Sequence, residues 1–128
     1  MVALCAWLVA ASAAASIPDA VGGGFADAGI DAAYYANPDL AGKPSFTRRD
    51  VRIDFDWEEV RPVGGSTAES YRSFPRDGFS VRWSGRIIAR FTEAYTFHGE
   101  ADDGVRVSVR APGQSTWTTL VDRWNQAG

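Results

Sequence analysis

The sequence predicts an all-β fold, an antiparallel β-sandwich or barrel. Short runs of alternating apolar and polar residues follow one another from about residue 51 onward, and glycine and proline separate them. Alternation is the pattern of a strand with one buried face, and short strands between regular turns build sandwiches and barrels. With 128 residues, 45% of them hydrophobic, the chain has material for one domain with a modest core.

The chain begins with an uncharged apolar segment, residues 1–16, that resembles a signal peptide. Its end includes Ala11-Ser12-Ala13, which suits signal-peptidase cleavage, although the usual basic start is absent and Lys43 is the first basic residue. The segment is short for a membrane span, which needs roughly twenty residues. We therefore expect a secreted or cell-surface protein without a stable membrane span. The alternative is a disordered or helical tail with no targeting role.

A linker and then the folded domain follow this leader. Residues 17–29 are rich in glycine and alanine and predict the linker, so the β domain is expected over residues 30–128. After Tyr34-Tyr35, the segment from Asn37 to Pro44 contains the proline and glycine that predict a turn.

The strands are predicted from period-two alternation. Residues 51–57 form one such run, residues 79–84 form a second that Gly85 ends, and shorter strands are expected at 87–88, 95–97 and 105–110. Pro112-Gly113 predicts a hairpin that joins residues 105–110 to 117–121. The side chains predicted to share one core are Phe55, Trp57, Phe79, Val81, Trp83, Tyr95, Phe97, Val105 and Val107.

The polar stretch 58–76, with Gly64-Gly65-Ser66 inside it, predicts a long loop, and loops of this length are often functional. Tyr71 and Phe74 lie in it and are candidates for exposed ligand contacts or for anchors of the loop. Trp57 precedes the loop and is a candidate platform for a sugar ring, although its phase favours the core.

Charge and residue counts exclude several functions. The net charge of −3, without a basic block, argues against nucleic-acid binding. Cys5 and His98 are the only cysteine and histidine, which removes intrachain disulfides, cysteine/histidine zinc sites and Cys-His nucleophile pairs. His98 is interpreted as a strand-surface residue.

Asp54 and Asp56 are the best enzymatic candidates. On one strand face their backbones would lie about 6.6 Å apart, within the range of carboxyl separations in inverting glycosidases. Arg52 on the same face would lower rather than raise their pKa values, which disfavours a general acid. A solvated acidic face, with Arg82 or Arg106 as partners, is the favoured interpretation.

The sequence Asp102-Asp103-Gly104 places two carboxylates side by side between apolar runs. One interpretation of this segment is a hairpin turn, because aspartate and glycine are favoured in such turns. The other interpretation is a calcium site, because neighbouring carboxylates repel each other and a hard cation such as calcium draws oxygen ligands together. The residues alone leave both open.

Five segments, read in order, resemble the protective-antigen domain family, the PA-fourteen module named after anthrax protective antigen. They are DAAYYANPDLAGKP, TRRDVRIDFDW, DGFSVRWSGRI, EAYTFHGEADDGVRVSV and LVDRW. The resemblance implies an exported β-sandwich or barrel, often joined to glycosidases, glycosyltransferases, proteases, adhesins or toxins. In adhesin members the paired aspartates bind calcium through a cis peptide and the ion contacts sugar hydroxyls, which implies Asp102 and Asp103 as metal ligands here.

The family pattern continues with further strands after the tryptophan matched by Trp124, so the resemblance covers the front part of a module. The sequence therefore predicts an extracellular, non-catalytic carbohydrate-binding accessory module, helped by calcium and joined to other domains of a longer parent protein. A structural or protein-interaction module of a secreted protein is the alternative. The third interpretation is that the chain is part of a glycoside hydrolase.

Overall fold

The computed structural model describes residues 3–11, 29–57, 61–64, 73–88, 91–101 and 103–124. Within these ranges the chain forms six β-strands, which confirms the predicted all-β class. The strands are β1 (Ala3–Ala11), β2 (Ile30–Tyr35), β3 (Phe46–Asp50), β4 (Ser80–Ile88), β5 (Val105–Val109) and β6 (Thr118–Arg123).

The six strands form one open sheet in the order β3-β2-β4-β1-β5-β6, which does not close into a barrel. The pairs β2–β3, β2–β4 and β5–β6 are antiparallel, as predicted. Strand β1 runs parallel to both of its neighbours, β4 and β5. The chain therefore builds two antiparallel groups of strands, and β1 lies between them.

Strand β1 comes from the segment interpreted as a leader. It pairs with β4 from Ala3 to Ala11 and with β5 from Leu4 to Leu8. An apolar run without alternation is typical both of a signal peptide and of a strand in the middle of a sheet that is covered on both faces. The sequence of this segment is therefore compatible with either interpretation. Removal of this segment by a signal peptidase stays a prediction, and the predicted linker, residues 17–29, lies outside the described residues except for Gly29.

The predicted turn after β2 is present, and side chains hold it. The Asn37 Oδ1 accepts hydrogen bonds from the backbone N–H groups of Asp39 (3.1 Å) and Ala41 (2.9 Å). The Ser80 hydroxyl donates to the Asn37 carbonyl oxygen (2.6 Å) and accepts from the Leu40 N–H (3.1 Å). Asparagine suits this role because its side chain imitates a backbone turn, and the two Ser80 bonds fix the turn on β4.

The strand predicted at residues 51–57 is wrong. Strand β3 lies earlier, at Phe46–Asp50, and residues 51–57 have no regular structure. The pairing of β3 with β2 decides the position, because it stacks Phe46 on Tyr34 with ring centroids 4.6 Å apart. Apolar and polar residues alternate in residues 51–57, whereas four of the five residues of β3 are polar, yet it is β3 that pairs with β2.

Strand β4 confirms the predicted phase. Val81 and Trp83 are fully buried, whereas Arg82 between them is half-buried. The predicted end at Gly85 is wrong, since the strand continues to Ile88 and includes the residues assigned to a separate strand. A Cβ at position 85 would lie 2.9 Å from Ile30, so this glycine allows close approach within the sheet rather than ending the strand.

The hairpin predicted around Pro112-Gly113 is confirmed as β5 and β6, with a bulge at Val107/Ser108. In its turn Gly113 has a φ of 77°, and the Gln114 N–H donates to the Ala111 carbonyl oxygen at 3.2 Å. No strand forms at the predicted residues 95–97, where the chain is irregular. His98 is exposed as expected, but it lies in this irregular segment rather than on a strand.

The predicted single core is divided into two clusters, and two of its members are outside. Phe55 is 38% exposed and Tyr95 is 46% exposed, because neither lies on a strand. Trp57 is partly buried against the first cluster, and Phe97 packs against the second. The aromatic cluster consists of Ala32, Tyr34, Phe46, Phe74, Phe79, Val81 and Trp83. The valine cluster consists of Val105 and Val107.

Candidate functional site

The predicted metal site lies at the start of β5. Asp103 is half-buried and lies two residues before the first residue of the strand, with Gly104 between them. A Cβ on Gly104 would lie 2.2 Å from the carbonyl oxygen of Trp124, so only glycine permits this approach of β5 to the end of β6. The fold therefore fixes the position of Asp103 at one end of the hairpin.

Asp102, the other predicted calcium ligand, lies outside the described residues. Among the residues that are described, no three histidine, cysteine, aspartate or glutamate side chains are grouped closely enough to hold a metal ion. Calcium prefers six to eight oxygen ligands, and Asp103 would be one of them. Calcium binding at this pair stays a prediction.

The candidate platform Trp57 is part of an aromatic stack. Its ring lies parallel to that of Phe55 (centroids 4.9 Å apart, interplanar angle 10°) and to that of Trp83 (6.2 Å, 6°). Phe79 contacts it edge-on at 5.3 Å. Trp57 thus packs against the core, although residues 51–57 do not form the strand on which its predicted phase rested, and Phe55 is the more exposed member of the stack.

Phe74 anchors the long loop. It is 2% exposed and contacts Phe46 (5.1 Å), Phe79 (5.3 Å) and Tyr34 (6.3 Å) between ring centroids. Of the two roles considered for Phe74, an exposed ligand contact and an anchor, burial leaves the anchor. Tyr71, the other candidate in this loop, lies outside the described residues.

The acidic pair Asp54 and Asp56 lies in the irregular segment after β3, and both residues are exposed. The Arg52 Nε is 3.8 Å from an Asp54 oxygen, with both side chains more than three-quarters exposed. Of the two possible cross-strand partners predicted for this pair, Arg106 binds Asp122 instead, at 3.0 Å, whereas pairing with Arg82 stays a prediction. A solvated acidic surface describes Asp54 and Asp56, and the partner prediction for Arg106 is wrong.

Sequence reasoning missed a buried carboxylate, Asp50, which is only 5% exposed. Its Oδ2 accepts hydrogen bonds from the Tyr34 hydroxyl and the Trp83 indole N–H, each at 2.7 Å. Its Oδ1 accepts from the Arg48 Nε at 2.6 Å. Arg48 in turn lies over the Tyr34 ring at 4.6 Å and donates to the Val63 carbonyl oxygen. The run Arg48-Arg49-Asp50 is polar in the sequence and gave no signal of burial.

This Asp50 network is closed, which indicates a structural role. Three donors satisfy the carboxylate, and one of them is the cation that compensates its charge. Burial, reinforced by the hydrogen bond to Asp50, raises the pKa of the Tyr34 hydroxyl well above its usual value. Tyr34 therefore remains a proton donor to Asp50 over the whole physiological range.

The profile of the PA14 domain family matches residues 27–111, a range that includes strands β2 to β5 and the aspartate pair. The chain belongs to the PA14 domain family. This confirms the resemblance seen in the five sequence segments. No helix in the described part of the chain is long and apolar enough to cross a membrane.

This PA14 chain also resembles a curated protein, the anti-sigma-I factor RsgI3 of Acetivibrio thermocellus. The two are 40% identical over 101 residues, which cover 78% of this chain and 13% of the relative. The chain thus spans about an eighth of the length of that protein. No solved structure matches the chain.

Proposed function

We propose that this PA14 domain is a non-catalytic carbohydrate-binding accessory module that works outside the cell, with calcium held at Asp102 and Asp103. The observation that carries the proposal is the family match over residues 27–111, which includes this pair. The position of Asp103 close to the start of β5 supports it, because the end of a fixed hairpin is a rigid place for a ligand oxygen.

The described acidic residues favour binding over hydrolysis. A glycosidase needs one carboxyl group with a raised pKa, which burial or a neighbouring negative charge produces. Asp54 is exposed, and one of its carboxylate oxygens lies 3.8 Å from the Arg52 Nε. Asp50 is buried, but Tyr34, Trp83 and Arg48 already occupy its oxygens.

The relative supports a place for the module in a longer protein. RsgI3 is named an anti-sigma-I factor, and this chain matches 13% of it. We extend the proposal accordingly: the domain is the sugar-binding part of a larger secreted or surface protein that responds to carbohydrate outside the cell. A protein-interaction module remains the competing function, and sugar binding separates the two.

A calcium titration followed by thermal unfolding tests the metal. Ligand linkage predicts a stabilisation of about 2.7 kcal/mol at one hundred times the dissociation constant, and magnesium should do less because it demands a tighter octahedral shell. The double variant Asp102→Asn/Asp103→Asn should keep its fold and lose the calcium response, since asparagine is also favoured in turns. Asp54→Asn/Asp56→Asn removes the same charge elsewhere and should keep the response.

A glycan array, run with calcium and with a chelator, tests the sugar. Binding that requires both calcium and the aspartate pair supports the proposed function. A melting curve that calcium leaves unchanged, together with no glycan bound, contradicts it and favours the protein-interaction module.

A further inference from the structure

The two faces of the sheet differ in chemistry, which follows from the register of the strands. Trp83 pairs with Ala6, and Ala6 pairs with Val107, so the aromatic and valine clusters lie on the same face. Because side chains alternate, the neighbouring positions on these strands belong to the opposite face. That face, which we call the arginine face, carries Arg49, Arg82, Arg86, Arg106 and Arg110.

Two of these arginines flank the same position of β1. Arg86 on β4 pairs with Val9, and Leu8 pairs with Val109, so Arg110 follows at the level of Val9 on the other side. Neighbouring strands are about 4.8 Å apart, which puts the two Cα atoms about 10 Å from each other. Strand β1 contributes no charge between them.

A cleft of about 680 Å³ lies at this end of the arginine face. This volume is in the range of small-molecule sites. Its charged lining residues are Arg49, Arg86, Arg110 and Asp31, so it is locally positive in a chain whose net charge is −3. Ser84 and the glycines at positions 85 and 113 complete much of the wall.

The arginines of the cleft are not equally available. The Arg49 Nε is 3.3 Å from the carboxylate of Asp31, and its Nη2 donates to the Gly29 carbonyl oxygen at 3.4 Å. Arg86 is exposed, and Arg110 lies over the Trp117 ring at 4.7 Å. Within the described part of the chain neither Arg86 nor Arg110 has a carboxylate within ion-pair distance. An anion from outside would therefore meet two guanidinium groups that no carboxylate of the described residues compensates.

We infer that this cleft binds the carboxylate of an acidic saccharide, with Arg86 and Arg110 as the recognition residues. The inference rests on the proposed carbohydrate-binding function and names its ligand class. Guanidinium groups suit a carboxylate because they donate two parallel hydrogen bonds, and Ser84 offers a hydroxyl for the sugar. The site lies on β4 and β5 and does not use the aspartate pair.

Calorimetric titration of the full chain at low ionic strength tests the cleft. The probes are a β-1,4-linked mannuronate trisaccharide and its methyl ester, which differ in the charge and not in the sugar. We expect the acid to bind about tenfold more tightly than the ester, as charge-assisted hydrogen bonds predict, and added salt to weaken it. Equal affinity for acid and ester would overturn the inference, as would no binding of the acid.

Single substitutions locate the site. Arg86→Ala and Arg110→Ala should each weaken binding of the acid about tenfold, and the lysine variants should lose less because they keep the charge. Arg52→Ala is the matched control, since it removes the same charge from an exposed arginine that does not line the cleft. Melting temperatures check that each variant is folded. A loss in Arg52→Ala as large as in Arg86→Ala would mean non-specific attraction and would overturn the assignment.

The aspartate variant separates this inference from the proposed function. Binding of the acid that survives a chelator and Asp102→Asn/Asp103→Asn, but not Arg86→Ala, supports the cleft whatever calcium does. The opposite result is binding of neutral sugars, without preference for the acid, that is abolished in the aspartate variant and unchanged in Arg86→Ala. This result would overturn the assignment of the cleft as an acidic-saccharide site and would leave the proposed function standing.

Discussion

The two groups of strands on either side of β1 are stabilised in different ways. The group β3-β2-β4 surrounds seven buried side chains, five of them aromatic, and encloses the Asp50 network. The hairpin β5–β6 buries Val105 and Val107, and its ion pair Arg106–Asp122 is partly exposed. Both groups share one sheet, and their cores lie on one face of it.

This difference shows where a small β domain can hold a buried charge. Asp50 is tolerated because aromatic rings exclude water around it while three donors replace that water. The hairpin lacks comparable aromatic cover in its cluster, and its charged pair stays near solvent. Stability should therefore be concentrated in the aromatic cluster, whereas the hairpin should tolerate polar changes.

The largest expected effect is that of Trp83→Ala. It should lower the free energy of unfolding by about 3 to 5 kcal/mol, because the side chain is fully buried and donates to Asp50. Val107→Ala in the valine cluster should cost about 1.5 to 3 kcal/mol. Urea unfolding measures both. Equal losses of unfolding free energy in the two variants would show that the aromatic and valine clusters contribute alike to stability, and would contradict the difference between the two groups of strands.

Asp50→Asn should have the next largest effect and lower the free energy of unfolding by about 1.5 to 3 kcal/mol. The substitution removes the charge that compensates Arg48 and leaves one donor without an acceptor. Asp54→Asn, at an exposed residue, should change stability by less than about 0.5 kcal/mol. The same urea experiment compares them. A small effect of Asp50→Asn would mean that water replaces the lost bonds and that the network is not dry.

Gly104→Ala tests the hairpin and should cost about 1 to 3 kcal/mol. The new methyl group would meet the Trp124 carbonyl oxygen, a backbone atom that moves only with β6. Gly99→Ala is the control, because its methyl group would make ordinary contacts of 3.4 Å and 3.6 Å with Val105 and Val107. Thermal unfolding should separate the two variants, and a tolerated Gly104→Ala would show that the end of β6 is loosely held.

Alkaline pH sharpens the comparison through Tyr34. Its pKa is raised in the folded state, so its contribution is fully present below the ordinary tyrosine pKa of about 10 and is lost as pH rises through the folded value. This one group should steepen the loss of unfolding free energy by up to about 1.4 kcal/mol per pH unit above pH 10. Tyr34→Phe should remove that part of the slope. An identical slope in both proteins would contradict the burial of the hydroxyl.

Among the strand residues, the smallest expected effect is that of Asp122→Asn, which breaks the exposed pair with Arg106. Such pairs contribute about 0 to 1 kcal/mol, and salt should reduce the difference further. Melting curves at low and high ionic strength measure it. A loss as large as that of Asp50→Asn would erase the distinction between the two groups of strands.

Local pattern predicted the phase of β4, where one face of the strand meets the core. Val81 and Trp83 alternate with Arg82 and Ser84, and burial follows that phase. The pattern failed at residues 51–57, because Phe55 and Trp57 stack on Trp83 from an irregular segment rather than from a strand. It also failed at residue 85, where glycine punctuates many strands but here accommodates Ile30 within one.

Of the candidate site residues, the sequence placed some and misjudged others. Trp57 packs against the core, but from an irregular segment and not from the strand that its predicted phase assumed. Phe74 is an anchor, which only the rings that it contacts reveal. Asp103 lies at a strand end, as a residue before an alternating run should. The arginines of β4 and β5 were visible as the polar positions of two separate runs, with no indication that they share a cleft.

The sequence by itself determined the all-β class, the phase of β4, the β5–β6 hairpin and membership of the PA14 family, because these depend on residues close together in the chain or on their order. The tertiary structure alone decided that the largely polar segment Phe46–Asp50 became β3, that Asp50 is buried, and that Arg86 and Arg110 flank one position of β1. These depend on pairing between distant strands. Alternation indicates which residues of a strand share a face, but the side chains that lie opposite them are determined only by the pairing with a partner strand.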